Sequence, residues 1–150
     1  MSASPPTTTT SRLSWGPVLL TGSVLTTLVQ LYGLYRPAGP PQPTWFPQAD
    51  RVLHLLGFAL PVLFVLLSLA WFSARRRTEL TNQRIAAVLA VFAGHAVISE
   101  IIQDRFYASR AGDPADLLAD CLGVALGAGA FVAVRPGLLR RAEPGRADHR

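Results

Sequence analysis

Hydrophobic and polar positions in this chain come in blocks and do not alternate as they would on the elements of a soluble domain. Four apolar runs, Trp15 to Leu34, Val52 to Phe72, Ile85 to Ile102 and Leu117 to Val134, each approach the ~20 residues with which a helix crosses about 30 Å of hydrocarbon. Together they take up most of the 150 residues and leave too little polar sequence for a separate soluble domain. The pattern predicts an all-α, integral membrane four-helix bundle over residues 14–135, with spans at about 15–35, 52–72, 85–103 and 115–134. Residues 1–13, rich in proline and threonine, read as a disordered tail, because they bury too little apolar surface to offset the entropy of ordering. The first run is long and has no evident cleavage site, so it is expected to be retained as a helix that also directs insertion.

The polar exceptions are concentrated near one set of span ends. Asp50 and His54, four apart at the start of the second run, share a helical face, so the carboxylate is expected to orient the imidazole. Capping or the helix dipole offers a blander account of Asp50, but not of His54 a turn deeper. Glu100 and Gln103, three apart, close the third run. His95 lies about 140° around the helix from Glu100 and is left out of the site. In Asp113-Pro114-Ala115-Asp116 the residue types fit an N-cap, a first-turn proline and an acid that reaches back to the cap amide. Asp120 lies one turn further in, beyond any capping role, and Gly123 and Gly127 follow at the spacing that lets another helix backbone come close. Pro61 is expected to bend the second helix, and Pro136 to stop the fourth. The connection 36–51 holds five prolines and should be extended, with Trp45 and Phe46 as an interfacial anchor.

Charge gives the runs an orientation. All fourteen basic residues are arginine. Ten of them lie in the N-terminal tail, the Arg75 to Arg84 connection and the C-terminal tail, against four in the other two connections. The positive-inside rule then predicts that both termini are cytoplasmic, that 136–150 is a basic cytoplasmic tail, and that the acidic cluster faces outward. The same distribution argues against nucleic acid as the partner of the +5 net charge, since the arginines flank apolar runs and do not form a patch. The arginine-only, alanine-rich composition fits a high-GC bacterial coding sequence, and the expected location is the bacterial cytoplasmic membrane, crossed several times. The single cysteine, Cys121, rules out an internal disulfide framework and is expected to be a small buried apolar residue.

Taken in order, Asp50-Arg51-x-x-His54, Glu100-x-x-Gln103 and Arg110 followed by Asp113, Asp116, Gly123 and Gly127 resemble the VanZ-like family of bacterial membrane proteins over roughly residues 15–135. Arg51 stands where that family more often has lysine. Asp120 stands where it usually has asparagine, a departure that bears on any role requiring a neutral amide there. The resemblance implies a cell-envelope membrane protein, named for a member linked to glycopeptide resistance, with no general reaction attached to the family.

Three functions fit these residues. In the first, an outward polar pocket of Asp50, Arg51, His54, Glu100, Gln103, Arg110, Asp113, Asp116 and Asp120 engages a lipid or a lipid-linked cell-wall precursor, with Arg110 as the anion contact. In the second, the chain is an intramembrane hydrolase or transferase with His54 as general base and the carboxylates as an acid pair or as metal ligands. In the third, the charges are interhelical ion pairs, Arg110 with Asp116 and His54 with Glu100, in a structural protein that binds another membrane protein. The first reading requires no resident metal or cofactor; its partners are the bilayer and the precursor, a homo-oligomer is compatible with the chain, and the glycine face serves helix packing.

Overall fold

The structure is a computed structural model that describes residues 15–37, 43–46, 48–107 and 113–142. The expected N-terminal tail 1–13, Arg110 and the last part of the basic tail, 143–150, lie outside the described residues. Four helices follow one another: α1 (Trp15–Tyr35), α2 (Ala49–Arg75), α3 (Asn82–Phe106) and α4 (Pro114–Ala142). All four are long and apolar enough to cross a membrane. Val29, Val91 and Val132 are each 69–70% exposed on the outside of the bundle, a surface suited to lipid and costly in water. The chain is therefore a multi-pass membrane protein built as an all-α bundle.

The helices run longer than the apolar runs alone predict. Helix α2 begins at Ala49 and α3 ends at Phe106, so polar flanking residues complete the turns at the span ends. Helix α3 is started by Thr81, whose side chain accepts a hydrogen bond from the Arg84 amide at 3.3 Å. The α2–α3 connection turns through Arg77 at a positive φ of 54°. Pro61 sits fully buried within α2, which continues through it. Pro136 does not stop α4, which runs on to Ala142. The correction has a physical cause: proline removes one donor and crowds one turn, and Leu138 and Ala142 beyond it are buried against the bundle and hold the last turns in place. Part of the stretch expected as a free tail is therefore helix. Around Trp45 the chain makes a turn, with the Phe46 amide bonded to the Pro43 carbonyl at 3.0 Å, and the Trp45 and Phe46 rings stack at 5.9 Å.

Helix α2 is the centre of the bundle. His54, Phe58, Val62, Leu66 and Ala70 recur every four residues along it and are all buried, so they form one stripe. Helix α4 lies parallel to α2 and meets that stripe with Asp120, Gly123, Val124, Gly127 and Phe131. A Cβ on Gly123 would collide with the Leu55 carbonyl, and one on Gly127 would sit 2.5 Å from the Ala59 carbonyl. The glycine pair thus brings α4 against α2 of the same chain, and dispersion and close backbone approach hold the contact where lipid supplies no hydrophobic drive. Helix α1 packs on another side of α2, where the Ser23 and Ser68 hydroxyls are 2.9 Å apart. Cys121 points away from the core and is exposed, because the neighbouring position Asp120 takes the inward direction.

Candidate functional site

The end of α1, the start of α2, the end of α3 and the start of α4 converge at one end of the bundle. Gln30, His54, Glu100 and Asp120 each lie five or six residues inside their helix ends, a depth of roughly 8–9 Å at 1.5 Å per residue. His54 and Asp120 are the last facing pair of the α2–α4 stripes. His54 Nδ1 and Asp120 Oδ1 are 2.9 Å apart, with side chains 3% and 0% exposed. The carboxylate that orients the imidazole is thus Asp120, across the helix interface, and not Asp50 on the same helix. A residue four positions along the helix lies beside the imidazole, whereas the inward-turned Asp120 faces it.

Glu100 reaches the same point from α3. Its Oε2 accepts from the Asp113 amide at 3.1 Å, and Asp113 Oδ1 accepts from the Ala115 amide at 2.8 Å. Asp113 is therefore the N-cap of α4, as its sequence context predicts. Its amide is bonded by Glu100 and not by Asp116, so the reciprocal half of the capping box comes from another helix. Asp116 turns toward Arg51, whose Nε lies 4.0 Å from it, while Arg51 Nη2 lies 3.5 Å from Asp113. Arg51 is half exposed, so this arrangement is a screened rim around the buried acids.

Two overlapping groups result. One ligating atom from each of His54, Glu100 and Asp120 lies within 4.8 Å of the others, with all three residues buried. The same holds for Asp50, His54 and Asp116, of which only His54 is buried. His54 belongs to both groups and is their pivot. Its expected ion pair with Glu100 gives way to the bond with Asp120. Gln103 is turned elsewhere: buried at 2% exposure, its Nε2 donates to the Leu34 carbonyl at 3.2 Å, in the last turn of α1, where carbonyls have no partner within the helix. His95, left out of the site, faces the Tyr35 hydroxyl at 3.1 Å.

Beside His54 opens a groove between α1 and α2. It has a volume of about 210 Å³, with Val29, Leu34, Leu53 and Phe58 among its apolar walls and Gln30, Asp50 and His54 among its polar ones. Sequence reasoning missed Gln30. This residue is 4% exposed, and neither its amide nitrogen nor its amide oxygen has a hydrogen-bond partner. A lone glutamine within an apolar run was the available signal, since burying an amide without partners costs about 1–3 kcal/mol by mutational measures. The one orphaned oxygen of Glu100, Oε1, is a second such group.

In comparisons with known proteins, no family model, no curated protein and no solved structure matches this chain.

Proposed function

We propose that this chain is a VanZ-like protein of the bacterial cytoplasmic membrane whose polar pocket, at the outward end of the bundle, takes the polar head of a lipid or lipid-linked cell-wall precursor. The observation that carries this reading is the groove beside His54, with apolar walls and a buried, unpartnered Gln30 amide. An amphiphile matches both features. Its chain lies along Leu53 and Phe58, and its head supplies the donor and acceptor that the amide lacks. A volume of about 210 Å³ is below the ~300–1,000 Å³ of clefts that enclose a drug-sized ligand. The groove therefore takes a head group or a chain segment, and the rest of the molecule stays in the bilayer. The outward orientation rests on the arginine distribution, and the family assignment rests on the order of the three motifs.

The test is mass spectrometry of lipids that copurify with the protein from its native membrane. Wild type should retain a defined amphiphile that Gln30→Leu and His54→Ala release. Equal lipid content in all three proteins refutes the reading. The link to glycopeptides is tested by deleting the gene and complementing with Glu100→Ala and Arg110→Ala, scored by drug sensitivity.

The buried Asp120–His54 bond favours a second reading, an intramembrane hydrolase or transferase with His54 as an oriented general base. Turnover of lipid-linked precursors by wild type and its loss in His54→Ala would establish it.

A further inference from the structure

We infer that His54, Glu100 and Asp120 form a binding site for one divalent transition-metal cation of the zinc or manganese class. The inference deepens the pocket reading above and rests on it for the place of the site.

The first ground is charge. Glu100 and Asp120 are two carboxylates buried about 9 Å inside the span ends. A divalent cation held between two carboxylates and an imidazole offsets charge that the bilayer cannot solvate. Isolated charge at this depth is costly, and polar groups at such positions pair with one another or with an ion. Arg51 lies on Asp113 and Asp116 at the rim.

The second ground is an acceptor without a donor. Glu100 is 8% exposed, and its Oε2 is held by the Asp113 amide, which leaves Oε1 buried with no hydrogen-bond partner. An orphaned carboxylate oxygen inside a group of ligating atoms is what a cation satisfies, and a cation needs no donated proton to do so.

The third ground is geometry. One ligating atom from each of the three residues lies within 4.8 Å of the others. Ligands about 2.1 Å from zinc stand ~3.4 Å apart in a tetrahedron, so pairs now farther apart than that close by at most roughly 1.4 Å, while a contact as short as the 2.9 Å His54–Asp120 bond opens. Imidazole with two carboxylates, and no thiolate, matches borderline metals and not the softest ones. Three protein donors are also too few for calcium, which takes 6–8 oxygens. Three protein ligands leave a coordination position open, as catalytic and ligand-binding zinc sites do. Phosphate or carboxylate oxygen of an anionic head group in the adjoining groove has the chemistry to fill it. Of the two overlapping groups, Asp50, His54 and Asp116 is the weaker candidate, because its acids are less buried than Glu100 and Asp120 and Asp116 already has Arg51.

The experiment uses the full chain without an affinity tag, purified in detergent, stripped with chelator, and titrated with zinc or manganese chloride while bound metal is counted by mass spectrometry. One equivalent per chain is expected. Glu100→Gln and Asp120→Asn should weaken uptake by more than the ~10–100-fold that loss of a mere outer-shell partner costs, while the exposed Asp104→Asn should bind like wild type. Cobalt substitution gives a readout that needs no variant: a visible absorption band of four- or five-coordinate cobalt should appear in wild type. Folded wild type that takes up neither metal overturns the inference, as does uptake that survives Glu100→Gln. If metal uptake fails while Gln30-dependent lipid retention persists, only the metal site falls. If metal binds and lipid retention ignores Gln30, only the head-group reading falls.

Discussion

Replacing Gly123 with alanine tests the packing that builds the site. The added methyl would collide with the Leu55 carbonyl and approach the Phe58 Cβ at 3.0 Å. Neither neighbour is the far end of a flexible side chain, so the helices themselves must part. At Gly127 the displacement can be read directly: the new Cβ would sit 2.5 Å from the Ala59 carbonyl, and ordinary contact begins at 3.4 Å, so α2 and α4 separate there by about 0.9 Å. Overpacking of this kind costs about 1–3 kcal/mol. The better helix propensity of alanine returns up to ~1 kcal/mol, so a net loss of about 1–2 kcal/mol is expected for each variant. Gly123 has a further effect. Leu55 adjoins His54, whose bond to Asp120 is 2.9 Å long; a separation like that at Gly127 would stretch it past hydrogen-bond range. Gly129, on the same helix, has nothing within 4 Å of a built Cβ and serves as the control. Thermal unfolding in detergent, followed by helicity, should rank both Gly123→Ala and Gly127→Ala below wild type, with Gly129→Ala equal to wild type or above it. Gly123→Ala as stable as Gly129→Ala would refute the close approach of α4 to α2.

Other perturbations separate structural from functional roles. Asp120→Ala should destabilise the bundle by about 3–5 kcal/mol, the cost of breaking a buried pair. His54→Phe combined with Asp120→Leu should recover much of that stability but no ligand retention, which a double-mutant cycle in thermal unfolding measures. Asp113→Ala should cost about 1 kcal/mol and speed amide exchange in the first turn of α4, whereas Asp113→Asn keeps the cap. Arg51→Ala should change stability by less than about 1 kcal/mol, because the pair is solvent-screened; a larger loss of stability would mean the rim is not screened. Gln103→Leu should cost about 0.6–1.7 kcal/mol through loss of its bond to the Leu34 carbonyl, seen as early fraying of the α1 end by hydrogen exchange.

The residues that later meet were individually conspicuous in the chain. His54, Glu100 and Asp120 are ionisable groups inside runs otherwise fit for lipid, and that expense marks them without any knowledge of packing. The Asp113 cap was equally legible, because capping is a property of four consecutive residues. The partners were not legible. Local spacing pointed from His54 to Asp50 and from Asp116 to the Asp113 amide, yet the bonds go to Asp120 and come from Glu100. Cys121 and Pro136 show the same limit: the first faces outward and the second leaves α4 intact.

By itself the sequence determined the number of spans, the approximate length of each, the glycine face and the end of the bundle where polar groups gather. All of these follow from hydropathy, helical period and cap chemistry within one segment. The tertiary structure alone decided that the α2 and α4 stripes face each other, that Glu100 closes the cap of another helix, and that Gln30 is left without a partner beside a groove. The physical reason is that hydrogen bonds between helices depend on relative rotation and depth. Those quantities are set by which small residues let two backbones approach, and no segment encodes them alone.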